Sequence, residues 1–586
     1  MNIAAARDIL LDHLIALYGG QTGRSAFERL QQLLARYQGA LPLPVHPPGL
    51  SERDALLITY GDQVRQPGVP PLQSVAELCE QRLVGLISTI HLLPFYPYSS
   101  DDGFSVIDYW AVDPALGSWD DVRRLGRGFR LMFDAVINHI SAQSAWFRAF
   151  LCDDPTYRDH FIVVPEGVDL SQVVRPRALP LLTRFRTPSG DKLVWTTFSA
   201  DQVDLNYANP QVLLDIVDTL LFYVAQGAEF IRLDAVAYLW KEIGTPCIHL
   251  PQTHRVIQLL RAIFDVVAPH VMLVTETNVP HAENVSYFGD GTNEAQLVYN
   301  FALPPLVLHT FRTANAETLS SWAAGLSLPS NRVTFLNFLA SHDGIGLNPV
   351  RGILSETELE ALVQQTLGAG GLVSYKFNAD GTQSPYELNI NYFDVLAGSH
   401  IDESPETQVK RFMAAQAIML ALVGVPGIYF HSLFGSRGWP EGVKLTGHKR
   451  TVNRQKCEWA SLEAELADIT SLRRQVFSCY VELLRARAGS PAFHPHGTQR
   501  VLSRGLGRAV FGVWRNAPKG SEQVLCLHNV SNSRQQVEIA PDEHSVACER
   551  LDVLTDLLSG HTFQVSSGPL KIELAPYEVL WLKAAA

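Results

Sequence analysis

A chain of 586 residues, with 47% hydrophobic and 18% charged residues, is long enough for several domains and apolar enough for a large core. Its formal net charge of −12 argues against nucleic acid as a main partner, because a phosphate backbone needs a basic surface. Seven cysteines, an odd number with no C-x-x-C spacing, argue against a disulfide framework or a structural zinc site and fit a reducing compartment, the cytoplasm.

The first segment, "MNIAAARDILLDHLIALYGG", places Arg7, Asp8 and Asp12 inside its apolar stretch, unlike a secretory leader. No run of 18 apolar residues follows anywhere, so no membrane span is expected. Residues 1–50 form a helical extension, with "FERLQQLLARYQ" at helical period, and close on the proline-rich linker "LPLPVHPPG". Short apolar strands then alternate with amphipathic helices: "ALLITY", "LISTIHLL", "RLMFDAVI", "EFIRLDAV", "VMLVTET", "QLVYNF", "VTFLNFLAS" and "GIYFH". Apolar strands separated by helices predict a parallel sheet covered on its outside. Eight such units over residues 51–490 predict an α/β fold, a (β/α)8 TIM barrel. Insertions at about 141–205 and 345–405 follow the third and seventh strands, at the face where barrel active sites are built. From 491 to 586 the pattern turns to short strands such as "RAVFGVWRN", "QVLCLHNV" and "YEVLWLK", a C-terminal antiparallel β domain.

Charged residues stand where the strands end. "GAEFIRLDAVAY" carries Arg232 and Asp234 two residues apart, on one side of a strand. "TET" supplies Glu276, "ASHD" supplies His342 and Asp343, "DAVINH" supplies Asp134 and His139, and "PYSSDDGF" supplies Asp101 and Asp102. Taken alone, Arg232–Asp234 reads equally as a buried structural ion pair, His139 as a core histidine and Asp134 as structural. Together on one rim, carboxyls that shift one another's pKa values suit a retaining glycosidase mechanism, with one carboxyl protonated and one ionised. Arg232 is expected to hold Asp234 ionised. No H-E-x-x-H or similar ligand spacing points to a metal.

"DAVINH", "GAEFIRLDAVAY", "VTETN" and "FLASHDG" resemble the four ordered motifs of the α-amylase family, glycoside hydrolase family 13. The resemblance spans about residues 50–586. It implies Asp234 as nucleophile, Glu276 as general acid/base and Asp343 as transition-state stabiliser, with Arg232, His139 and His342 lining a glucose subsite. The family's amylases often use the asparagine at Asn138 for calcium; the rest of such a site finds no match here, and no cofactor or metal is expected.

"HLLPFYPYSSDDGFSVIDY", "RPRALPLLTRF" and "TVNRQ" are similar to the sucrose phosphorylase subfamily, which implies Asp101 and Arg454 in the glucose site and Arg177 on phosphate. Arginine suits that task, since it grips phosphate in bidentate fashion. Asn278 and Glu387 stand where sucrose phosphorylases carry a histidine and a glutamine near fructose. With the N-terminal extension and "ETNVPHAENVSYFGDG", they resemble the glucosylglycerate phosphorylases of that subfamily. Lys376, Lys241 and Arg177 are candidate cations for a glycerate carboxylate, and Glu387 is expected to accept from acceptor hydroxyls. Glycerol, fructose and fructose 6-phosphate stay open as acceptors, as do a plain hydrolase and a non-catalytic homologue. The expected partners are a small sugar and phosphate, with neither nucleic acid nor membrane; a monomer and a homodimer are both open.

Overall fold

A computed structural model describes residues 3–177, 179–378, 382–397, 403–502, 504–540, 553–565 and 568–584. Its centre is a closed parallel barrel of eight strands. They are β1 (Leu56–Thr59), β2 (Thr89–Leu92), β3 (Arg130–Ala135), β4 (Ala228–Leu233), β5 (Met272–Thr275), β6 (Leu297–Tyr299), β7 (Thr334–Asn337) and β8 (Val425–Tyr429). Each pairs with the next, and β8 returns to β1 with Leu56 opposite Gly427. The eight apolar runs of the sequence are these eight strands.

The lower barrel is filled by Leu56, Met132, Phe230, Val274, Leu297, Tyr299, Leu336 and Val425, a packed core rather than a pore. One layer higher the filling turns polar. Asp134 lies in register with Arg232 across β3 and β4. It pairs with the Arg232 guanidinium and with His91 Nε2, the latter at 2.7 Å, all three groups being buried. This charged layer is the floor of the site.

Two N-terminal helices, α1 (Ile3–Tyr18) and α2 (Gly20–Tyr37), form a hairpin against the barrel helices Pro210–Ala225 and Pro251–Val267. Gly23 permits the close crossing, since a Cβ there would lie 2.6 Å from Leu14 O. The Tyr37 hydroxyl donates to Asp218 Oδ1 at 2.7 Å, and Tyr18 OH to Tyr207 O at 3.0 Å. After β3, the strand His139–Ser141 pairs with Gln202–Asp204, and a hairpin of Leu182–Thr187 with Gly190–Trp195 lies between them. After β7, Ile345–Gly346, Gln383–Asn389 and Leu372–Phe377 make a three-stranded sheet. Both insertions rise over the C-terminal ends of the barrel strands.

The C-terminal segment forms an antiparallel six-stranded sheet and a two-stranded ribbon, Gln535–Ile539 with Leu570–Leu574. They share a separate core of Trp514, Leu525, Leu527, Val537 and Ile572 among others. Two of its strands, Val553–Asp556 and Thr562–Gln564, are only four and three residues long and were not expected from sequence. Among the described residues no helix is long and apolar enough to cross a membrane.

Candidate active site

Asp234 and Glu276, which stand just past their strand ends, are each fixed by a backbone bond to the neighbouring strand. Asp234 N donates to Ala135 O and Glu276 N to Leu233 O, both at 3.1 Å, so β3, β4 and β5 deliver adjacent carboxyls to one rim. Ala235 takes a left-handed φ of 49°, a strained conformation for a residue with a Cβ, and its N–H donates to Glu276 Oε2 at 3.1 Å. Asp234, Glu276, Asp343, Asp101, His139, His342, Asn278 and Arg177 all line one pocket, with Tyr238, Phe198, Gln202, Tyr386 and Arg450. Arg232 lies beneath it.

Arg232 is both a structural and a site residue. Besides Asp134, it contacts Asp234 at 2.9 Å and Glu276 at 4.0 Å. Arg232 favours the ionised form of Asp234, and burial works against it. Burial outweighs the arginine, and with Glu276, Asp134 and Asp343 close by, the Asp234 carboxyl is pushed up to about 8. Burial raises Glu276 as well, again against Arg232. Two buried carboxyls side by side on one rim share a proton. The closer contact of Arg232 with Asp234 leaves that proton on Glu276.

Asp343 behaves oppositely. Burial works against its charge, yet Arg450 at 2.6 Å, His342 at 3.5 Å and Arg454 at 3.4 Å hold it well below the usual carboxylate range. Both histidines are buried and neutral in character. Burial lowers His139, and it brings His342 down to about 3. His139 Nε2 lies 2.9 Å from Phe104 O; a carbonyl can only accept, so this nitrogen carries the proton. His342 stacks on Phe104 with ring centroids 4.9 Å apart.

Above this pocket opens an outer cleft lined by Asp101, Asp102, Arg177, Tyr386, Glu387, Lys449, Arg450 and Arg454. Arg177 bonds Asp101 at 3.0 Å and lies over the Phe198 ring at 5.5 Å. Arg450, which sequence reading passed over, donates to both carboxylate oxygens of Glu387, at 2.9 and 3.1 Å. Glu387 is therefore not a free acceptor for hydroxyls: its side chain is bound to Arg450 and to the Gly344 N–H, at 3.1 Å. A glutamate held in this way no longer opposes an anion nearby. The stretch "GHKRTVNRQ" holds the missed signal, a cluster of basic residues around the arginine that was noticed.

Other candidates lie elsewhere. Lys241 Nζ sits on Asp204 at 2.6 Å and on Asn138 Oδ1 at 2.7 Å, so its charge is spent below the pocket rather than on an acceptor. An ammonium group thus occupies the oxygens of Asn138 and Asp204. Among the described residues no group of three or more His, Cys, Asp or Glu could hold a metal ion. Lys376 lines neither the pocket nor the outer cleft. Asn278 Oδ1 is buried with no protein partner, against Gly346, where a Cβ would lie 2.6 Å from that oxygen.

Residues 84–343 match the family described as alpha amylase, catalytic domain. The chain is 50% identical over 590 residues to the glucosylglycerate phosphorylase of Spirochaeta thermophila, covering 98% of both chains. It is 44% identical to that of Escherichia coli over 98% of this chain and 99% of that one. To the sucrose phosphorylase of Agrobacterium vitis it is 32% identical, over 75% and 88%. Among solved structures, the sucrose 6F-phosphate phosphorylase from Thermoanaerobacter thermosaccharolyticum superposes with a TM-score of 0.72 at 22% identity, covering 86% of this chain and 99% of that one.

Proposed function

The chain belongs to the α-amylase family, and we propose that within it the chain is a retaining glycoside phosphorylase acting on glucosylglycerate. Phosphate would receive the α-glucosyl unit, giving α-glucose 1-phosphate and glycerate. The relatives of nearly full-length match are named for this substrate. The observation that carries the reading is the unequal carboxyl pair in one pocket, Asp234 and Glu276, under a cleft lined by Arg177, Arg450 and Arg454.

In the first displacement the ionised Asp234 attacks the anomeric carbon and the glycosidic C–O bond breaks. Glu276 gives its proton to the departing glycerate oxygen. Asp343, kept anionic by its arginines, faces the positive charge that develops on the sugar ring. In the second displacement a phosphate oxygen attacks the same carbon from the vacated side. The ester to Asp234 breaks, and Glu276 takes a proton from the incoming phosphate, so the configuration is retained. Water competes for this intermediate. Arg177 at the mouth of the pocket supports phosphate against it, because only phosphate gains from a fixed guanidinium.

The test is phosphate release from α-glucose 1-phosphate, offered separately with D-glycerate, glycerol, fructose and fructose 6-phosphate. D-Glycerate is expected to give the fastest release, and glucosylglycerate breakdown is expected to require phosphate. Release independent of any acceptor would make the protein a hydrolase. Faster release with fructose or glycerol would reassign the aglycone.

A further inference from the structure

We propose that Lys449 is the residue that reads the carboxylate of the acceptor, and so sets the preference for an anionic over a neutral acceptor. The inference rests on the phosphorylase reading above and deepens it. Its ground is the charge count of the outer cleft. Three carboxylates line it, and each is held by an arginine: Asp101 by Arg177 at 3.0 Å, Asp102 by Arg454 at 2.5 Å, and Glu387 by Arg450 at 2.9 Å. The last two arginines also share Asp343 of the inner pocket. Lys449 is the cation left over. Among the described residues no carboxylate pairs with it; its Nζ donates to the backbone oxygen of Val373 at 2.7 Å.

That single contact aims the amine. Val373 belongs to the strand Leu372–Phe377, and the next two residues, Ser374 and Tyr375, line the same cleft. The lysine stem thus runs from the turn carrying Arg450 across to the inserted sheet, with its head at the cleft wall. A backbone carbonyl takes one of the three ammonium hydrogens and neutralises none of the charge. An acceptor with one carboxylate would meet one unmatched cation. A neutral acceptor would leave that cation unpaired.

Arg450 and Arg454 hold Asp343 of the inner pocket, where the glucosyl unit sits in both half-reactions, and Arg177 is assigned to phosphate. Lys449 instead faces the side from which acceptors arrive. Its neighbour His448 lines the same cleft and is the nearest alternative.

The experiment measures kcat/KM for D-glycerate and for glycerol, each with α-glucose 1-phosphate, in wild type, Lys449→Met, Lys449→Arg and His448→Gln. Apparent KM for phosphate in glucosylglycerate breakdown and a thermal melt accompany each variant. In Lys449→Met the glycerate-to-glycerol ratio of kcat/KM is expected to fall at least about tenfold, the equivalent of about 1.4 kcal/mol. Lys449→Arg should restore most of it. Equal losses on both acceptors would mean a structural role and overturn the assignment. So would an unchanged ratio in a folded protein, a drop confined to His448→Gln, or a rise in phosphate KM alone. If wild type itself does not favour glycerate over glycerol, both this assignment and the proposed substrate fall. If wild type favours glycerate and Lys449→Met still does, only the lysine falls.

Discussion

At the scale of single residues, the site is built at the expense of the fold. Asp234 is almost fully buried, with 8% of its surface exposed, and burial lifts its carboxyl to about 8. Asp234 and Glu276, which share one proton, both titrate higher folded than unfolded, so the pair binds that proton more tightly in the native state. The fold therefore loses stability as pH rises from the ordinary carboxylate range towards 8. Part of that loss is already present at neutral pH, which lies between the unfolded and the folded titration. Asn has the same shape and keeps an oxygen for Arg232, which retains Asp134 as counter-charge. Asp234→Asn is thus expected to abolish nearly all turnover while melting higher than wild type at pH 7 to 8. The gap should narrow at pH 5. Melting curves across that range check it, and a variant that melts lower at pH 8 would show that the Arg232 contact outweighs burial. Stability gained by losing the proposed nucleophile would be the signature of a residue kept for chemistry.

At the scale of elements, the barrel was legible because each of its strands is buried on both faces, which leaves an apolar run and little else. Asp234, Glu276 and Asp343 were legible because their charges stand together at the ends of successive apolar runs, although each taken singly allowed a structural reading. Arg450 and Lys449 were not, because they come from a short turn, Lys449–Asn453, whose place over the barrel mouth depends on the whole insertion. Nor was the device that fixes the loop after β2. Asp101 and Asp102 both adopt left-handed φ, 53° and 48°, an unfavourable conformation for two successive residues with side chains. Asp201, from the other insertion, holds them there. Its Oδ2 accepts from Ser99, Ser100 and Ser105, the last at 2.7 Å, and its Oδ1 from Ser141 at 3.4 Å. Four hydroxyls on one carboxylate clamp a strained loop whose aspartates orient Arg177 and Arg454. Asp201→Ala should raise KM for α-glucose 1-phosphate by about tenfold or more, since each lost charge-assisted bond is worth about 1.5–3 kcal/mol. Asp201→Asn, with one acceptor oxygen left, should fall between. A variant with lowered melting temperature but unchanged KM would make Asp201 a plain structural residue.

At the scale of the whole molecule, an acidic chain of net charge −12 is expected to handle two anions, phosphate and glycerate. Screening over about 8 Å at physiological salt confines the cleft's cations to local action, so capture depends on fixed arginines rather than on the overall field. Those arginines are only as fixed as the barrel seam, and the seam is closed by another buried arginine. Arg487, 1% exposed, bonds the backbone oxygens of Glu52 and Asp54 before β1, Gly424 before β8, and Phe493 at the entry to the C-terminal domain. First strand, last strand and second domain thus meet on one guanidinium. Burial without a carboxylate partner pushes it down to about 9 from the usual arginine range, a cost of roughly 5 kcal/mol to the charged form. Against this stand four buried carbonyls, each costing about 1–3 kcal/mol if left unbonded, and the cavity an amputated side chain leaves. The carbonyls weigh more. Arg487→Met is expected to lower the melting temperature by several degrees and to make the junction near residue 490 sensitive to protease, while Arg487→Lys, with its point charge unable to span four acceptors, recovers less than half. Because Arg487 lies at the strand ends opposite the pocket, kcat of the folded variant at 25 °C should stay within about threefold of wild type, as distant sites act nearly independently. A melting temperature that stays level or rises in Arg487→Met would show instead that releasing a desolvated charge outweighs the four lost bonds.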